Sequence, residues 1–332
     1  MKEANKIVEA IMKAENIVIT SHRSPDGDSI GSSLGLYNFI TALGRKALVC
    51  HPDVCPAFIE WAKNGVEIID FESDEERVLK HLDEADLIFS LDYNAASRLG
   101  RDMSPHFEKA KAQKIMIDHH LDPDNFADIM VSQSDVCSTA QLIFELIASS
   151  DNLNLLNKEI GTPLYLGIMT DTGSFRYSSL TSRTHEILAI LLSNGVNHTD
   201  IHEATFDNNR IDKLKLRAHI IAERLEFLEE LKVAIISVTE AEMEKFNHIK
   251  GDTEGLVNVA LSMEGVEAAV FFRESGDMVK ISFRSKGTLP VNTIANDHFN
   301  GGGHKNAAGG ASFVGLEETI QNFKNEAPNY FK

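Results

Sequence analysis

The fold is decided by one stretch near the N-terminus, Asn16-Ile17-Val18-Ile19-Thr20-Ser21-His22-Arg23-Ser24-Pro25-Asp26-Gly27-Asp28-Ser29. Its first five residues are an apolar, β-branched run, the mark of a buried strand. Pro25 and Gly27 bend the polar segment that follows. That segment carries one imidazole and two carboxylates within seven residues. A helix is expected from about Ser29 to Leu43. Its Gly31 and Gly35 sit one turn apart, where small side chains allow close packing on a sheet.

The same grammar recurs downstream. Ala47–Cys50, Leu87–Leu91 and Lys114–Ile117 are short apolar runs ending in polar residues, as in a parallel sheet covered on both faces. Helices are expected at about 139–149, 157–170 and 182–194, completing an α/β domain over residues 1–195. From 198 to about 230, Ile211, Leu214, Ala218, Ile221, Ala222, Leu225 and Leu228 recur at helical spacing. This predicts one long helix, a linker spanning 196–230. A smaller α+β domain is expected over 231–332. In it, Glu274-Ser275-Gly276-Asp277 signals a hairpin, and a short helix near 291–298 leads into the glycine-rich run 301–310.

Composition excludes several classes. No apolar run approaches the roughly 20 residues of a membrane helix, and the polar N-terminus lacks the features of a signal peptide. A cytoplasmic location is therefore expected. Cys50, Cys55 and Cys137 are too few for a disulfide framework. Cys50-His51 with Cys55 invites a zinc reading, but no second pair follows at finger spacing. The net charge of −18 disfavours sequence-independent binding to long nucleic acid. Residues 231–332 hold 10 basic and 13 acidic side chains and so carry −3, leaving −15 on residues 1–230.

Chemistry gathers at the ends of the apolar runs. His22, Asp26 and Asp28 follow the first, Asp92 the third, and Asp118-His119-His120 the fourth. A later apolar segment ends at Asp171. In an open α/β sheet the carboxyl ends of the strands share one crevice, so these residues should converge. Carboxylates crowded beside imidazoles repel unless cations lie among them. Oxygen and imidazole donors suit Mn²⁺, Mg²⁺ or Co²⁺, and two such ions imply phosphoester hydrolysis. Each fragment has an ordinary explanation when taken alone: Asp26-Gly27-Asp28 a turn, Asp171-Thr172 a helix cap. The combination is what carries the reading.

Together these residues resemble the four signature motifs of the DHH phosphoesterase superfamily. Arg284-Ser285 and the run 301–310 resemble its DHHA1 partner domain. In length and architecture the chain is most similar to the nanoRNase/pAp phosphatase branch. The resemblance implies two divalent ions, Mn²⁺ foremost. It implies His22 and Asp26 on one ion, Asp28, His119 and Asp171 on the other, and Asp92 bridging both. His120 would act on the scissile phosphate, with Asp118 supporting it. Arg284, Ser285, Gly301, Gly302, Gly303 and His304 would bind substrate. The implied substrates are short 5′-phosphorylated oligonucleotides of 2–5 residues and pAp, with no membrane partner and no long nucleic acid; a homodimer is left open. pApA or cyclic di-AMP hydrolysis, inorganic polyphosphate hydrolysis and a non-catalytic nucleotide sensor are the alternatives. Between Arg273 and Lys305, five basic residues face three acidic ones, a compact anion-recognition patch.

Overall fold

The computed structural model describes residues 1–331. The chain divides into two compact units, Met1–Asn208 and Asn209–Lys332.

The first unit begins with helix α1 (Ala4–Lys13), strand β1 (Ile17–Ser21), helix α2 (Gly27–Ala42), β2 (Ala47–His51) and β3 (Ile68–Asp70). It continues through α3 (Glu75–Glu84), β4 (Leu87–Leu91), α4 (Gly100–Lys109), β5 (Gln113–Asp118) and β6 (Ile129–Ser132). It closes with α5 (Thr139–Ser149), α6 (Lys158–Asp171), α7 (Ser182–Ser193) and α8 (His198–Phe206). The six strands form one parallel sheet in the order β3-β2-β1-β4-β5-β6. Alternate strand residues serve opposite faces. Ile17, Ile19, Val49, Phe89 and Leu91 join the core that includes α2, α5 and α6, while Val18, Cys50 and Ile88 join that of α3 and α4.

Helix α2 is buried almost throughout. The glycines expected to lie on the sheet instead face α6. A Cβ at Gly31 would come within 2.8 Å of the Gly167 backbone nitrogen and closer still to the Pro163 carbonyl. Backbone thus packs on backbone, which only glycine permits. Pro163 inside α6 has no N–H for the Glu159 carbonyl, and Asn38 of α2 supplies the missing donor at 2.8 Å. Short strands β3 and β6 escaped the sequence pattern.

The second unit holds α9 (Ile211–Glu223), β7 (Leu225–Leu228), β8 (Val233–Val238), α10 (Glu240–Lys245), α11 (Leu256–Leu261), β9 (Ala268–Ser275) and β10 (Met278–Ser285). After them come α12 (Asn292–His298), β11 (Gly302–His304), β12 (Ala307–Ser312) and α13 (Leu316–Glu326). Its sheet runs β11-β12-β10-β9-β8-β7, antiparallel except for the β8–β9 pair.

The single long helix expected across 196–230 does not form. Asp207-Asn208-Asn209 interrupts it, because short polar side chains compete for the backbone and favour turns. Leu225–Leu228 then pairs with β8 as a strand. Tertiary pairing overrides the helical spacing there. Leu216 and Ile220 of α9 are buried, whereas Ile211 and Leu214 are exposed. The glycine-rich run is likewise ordered into the β11–β12 hairpin.

Candidate active site

Strand order reverses between β1 and β4, which makes the carboxyl ends of these two strands the switch point of the sheet. His22 follows β1 and Asp92 follows β4, while Asp118 closes β5. Asp171 is the exception to the strand-end expectation: it is the last residue of helix α6.

Asp26 caps α2. Its Oδ1 accepts the N–H groups of Asp28 and Ser29 at 3.0 Å each, and Ser29 Oγ accepts the Asp26 N–H in return. The Asp26 Oδ2 therefore faces His22, 3.8 Å from Nε2. Asp28 is buried, and its two oxygens accept the first N–H groups of α5, from Thr139 at 2.7 Å and Ala140 at 2.8 Å. Positive helix-end charge suits a carboxylate there. Asp92 adopts φ +64°, a left-handed conformation that glycine, asparagine and aspartate tolerate better than other residues. Thr139 Oγ1 donates to Asp92 Oδ1 at 3.0 Å.

Two histidines are fixed in the same tautomer. His22 Nδ1 donates to the Arg23 carbonyl at 2.7 Å and His119 Nδ1 to the Val136 carbonyl at 3.2 Å. In a neutral ring, Nε2 then carries a lone pair. His22 Nε2 stands 3.4 Å from Asp92 Oδ2. His119 Nε2 stands 3.5 Å from Asp92 Oδ1, 3.5 Å from Asp171 Oδ2 and 3.8 Å from Asp28 Oδ2. With neutral rings these nitrogens and oxygens are all acceptors, and their separations exceed ordinary hydrogen-bond lengths. The gaps suit donors around a shared cation, since ligands each about 2.0–2.2 Å from one ion stand roughly 3–3.6 Å from each other.

The charges agree. Burial and the charges of Asp92, Asp171 and Asp26 drive the Asp28 carboxyl well above the carboxylate range. Burial lifts Asp171 to about 7, against the pull of His119. Burial opposes protonation of His22, yet Asp92 and Asp26 raise it to about 9. Asp92 is opposed by burial too, but its contact with His22 and the imidazoles of His119 and His120 hold it below the usual carboxylate range. Surplus negative charge of this kind must be offset by protons or by metal ions. His22, Asp26 and Asp92 bring ligand atoms within 4.8 Å of one another, and so do Asp28, His119 and Asp171.

His120 differs. Its Nδ1 donates to Asp118 Oδ1 at 2.7 Å, and its backbone N–H donates to Asp118 Oδ2 at 3.1 Å. Asp118 thus grips both ring and backbone, and the 3.8 Å approach of Nδ1 to Asp92 is secondary. Thr139 is the residue that the sequence pattern missed. Ser138-Thr139 ahead of an apolar run is an N-cap signature, and it could have drawn attention.

In the second unit, Arg284 pairs with Ala307, which pairs in turn with His304. Directly opposed residues share a sheet face, so Arg284 and His304 flank Ala307 in one row. Ser285 falls on the other face and is buried. Its hydroxyl donates to the Leu289 carbonyl at 2.6 Å and receives Asn306 Nδ2 at 2.8 Å. It holds a loop, and the structure separates it from the Arg284–His304 row. Gly303, at φ +137°, lets its strand approach Ala307, whose carbonyl oxygen would stand 2.6 Å from an added Cβ; the backbone at Gly301 is equally crowded by Gly309. Gly302 alone of the three faces open space.

The cysteines form no cluster. Cys50 and Cys55 lie in different cores, and burial pushes both thiols up to about 12. Among the described residues no helix is long and apolar enough to cross a membrane.

The DHH family N-terminal domain matches residues 16–168, and the DHHA1 domain matches 220–332. The bifunctional oligoribonuclease and PAP phosphatase NrnA of Thermus thermophilus is 30% identical over 319 residues, 95% of this chain and 90% of its own. The protein of the same name from Bacillus subtilis is 25% identical over 94% of each chain. An exopolyphosphatase-related protein from Bacteroides fragilis is 37% identical, with a TM-score of 0.95 over 99% of this chain and 96% of its own.

Proposed function

The chain belongs to the DHH family, and on that premise we propose that it is a phosphoric ester hydrolase using two divalent ions, Mn²⁺ foremost. Its substrates are short 5′-phosphorylated oligonucleotides, cut to mononucleotides, and pAp, converted to AMP. The observation that carries this is the placement of Asp92. One of its oxygens faces His22, and the other faces His119. One carboxylate thereby joins the two ligand sets, His22 with Asp26 and Asp28 with His119 and Asp171.

Two divalent ions supply Lewis-acid activation of water and charge neutralisation at phosphoryl oxygens. The chain's own groups do the rest. Thr139 and the first N–H groups of α5 orient Asp92 and Asp28. Asp118 fixes the His120 tautomer, so that Nε2 is the nitrogen offered to the phosphate or to the leaving oxygen. Arg284 and His304, in one row of the second sheet, are that unit's groups for binding a phosphate. Net charge sets the substrate length. With −15 on residues 1–230, a long polyanion is repelled outside the ligand clusters.

Turnover should be measured on pAp, pApA, cyclic di-AMP, RNA of 2–24 residues and pyrophosphate under matched conditions. Rapid hydrolysis of 2–5-mers and pAp, with a steep decline in longer RNA, is expected. A 24-mer cut as fast as a dinucleotide defeats the short-substrate assignment. Faster turnover of pyrophosphate than of any nucleotide replaces it with the polyphosphate alternative.

A further inference from the structure

The segment leaving Asp171 is Thr172-Gly173-Ser174-Phe175-Arg176-Tyr177. Its residues Gly173, Ser174 and Phe175 take φ of +57°, +60° and +66°, three left-handed residues in succession. Two of them carry a Cβ, which disfavours that conformation. Surrounding contacts impose it. Thr172 is fully buried; its Oγ1 donates to the Ile168 carbonyl at 2.6 Å and accepts the Phe175 N–H at 3.1 Å. Its carbonyl accepts the N–H groups of Arg176 at 2.8 Å and Tyr177 at 3.1 Å. The Phe175 ring packs edge-on against Tyr165, with centroids 5.7 Å apart, and lies 6.2 Å from the ring of His202. His202 Nδ1 donates to the His198 carbonyl at 2.8 Å, so its Nε2 accepts the Ser174 hydroxyl at 3.2 Å.

The strain has a geometric result: Phe175 is turned inward, and the next two side chains are thrown outward. Arg176 is exposed, with Nε donating to the Gly173 carbonyl at 2.7 Å. Tyr177 is 41% exposed, and its ring lies flat on Gly173. A Cβ at Gly173 would stand 2.5, 2.7 and 2.8 Å from Cζ, Cε1 and Cε2, the spacing of a point above a ring face. One face of Tyr177 therefore rests on backbone two residues from Asp171. The phenol is held as a shelf at the metal-ligand end of α6, beside a guanidinium, in a unit that is otherwise acidic.

We propose that Tyr177 stacks against a nucleobase of the substrate and that Arg176 pairs with an adjoining phosphate. This makes a nucleotide subsite on the catalytic unit itself. The inference rests on the nucleotide-hydrolase assignment and deepens it: any base presents a π-face, so such a shelf tolerates sequence while rejecting base-free phosphates.

The test is direct calorimetric binding of AMP and of ribose 5-phosphate to the Mn²⁺-loaded protein, its Tyr177→Ala and its Tyr177→Phe variants, with pAp hydrolysis followed on the same preparations. AMP should bind the unsubstituted protein about 10-fold more tightly than ribose 5-phosphate. Tyr177→Ala should erase that preference while leaving the ribose 5-phosphate affinity in place, and Tyr177→Phe, which keeps the ring, should retain it. A preference surviving Tyr177→Ala, or absent from the start, overturns the shelf. Equal losses for both ligands show that Tyr177 only braces the Gly173 turn, and this also overturns it. Failure to hydrolyse pAp or dinucleotides is a separate result. It removes the hydrolase assignment, while the binding comparison still reports on the ring.

Discussion

Replacing Asp92 by asparagine isolates the shared carboxylate. Asparagine tolerates the left-handed φ of +64° at this position, and its side-chain oxygen still accepts the Thr139 hydroxyl, so local structure should persist. What disappears is the negative charge and the oxygen facing His22, which becomes an NH2 group, while the oxygen facing His119 stays but is no longer charged. Ion binding to the folded state alone contributes about 2.7 kcal/mol per site at 100 times the dissociation constant. Two sites then give roughly 5 kcal/mol. In a unit of this size, about 2–4 °C per kcal/mol translates this into a rise of ~10–20 °C in Tm on adding Mn²⁺. The Asp92→Asn protein should show less than half of that rise. Its turnover should fall by at least ~10³-fold, about 4 kcal/mol of barrier. Differential scanning fluorimetry across an Mn²⁺ titration, with kinetics on pAp, measures both. An undiminished Mn²⁺-induced rise in the variant would refute the bridging role.

His120→Ala should keep both ions by elemental analysis and lose ~10²–10⁴-fold in kcat; loss of one ion would make His120 a ligand instead. Arg284→Ala should raise KM for pAp with ion content unchanged, whereas an unaltered KM would remove it from the substrate site. Gly31→Ala pushes a Cβ into the Pro163 carbonyl and should lower stability by about 2–3 kcal/mol in urea unfolding; a neutral result would mean that α2 and α6 separate freely. Glu242 takes the Thr239 N–H, His219 and Arg224, and against the effect of burial these contacts depress its carboxyl to about 2. Its stabilising effect is therefore complete above the unfolded carboxylate range and lost as pH falls from about 4.5 towards 2. Glu242→Gln should be less stable at pH 7 and should converge with the unsubstituted protein near pH 2, as read by chemical denaturation.

The convergence of the candidate ligands was legible because most of them follow an apolar run, and the existence of such runs is what periodicity locates best. His22, Asp26, Asp28, Asp92 and His119 needed only the parallel sheet to bring them together. Asp171 arrived at the same place by another route, as a helix terminus, since any element that ends at the crevice can deliver a side chain to it. The long helix failed for a different reason. Leu225 and Leu228 fit helical spacing, but their partners in β8 decide the matter, and a pairing between strands is invisible to a local pattern. Ser285 was misplaced by a period of two: Arg284 marks one face of β10, so its neighbour necessarily lies on the other. Thr139 went unnoticed because its hydroxyl matters only through Asp92, which lies 47 residues away in the chain.

The seam where Gly27, Gly31 and Gly35 of α2 meet α6 has a meaning for descent as well as for packing. An added methyl at any of these positions collides with α6, and at Gly167 it collides with Ala140 and Asp28. Drift there is closed off by lack of volume, although none of these glycines bears a reactive group. Lineages that exchange most of their surface would keep them alongside the aspartates and histidines. Chemistry and crowding are thus two independent constraints on this chain, and the glycines of the seam answer to the second.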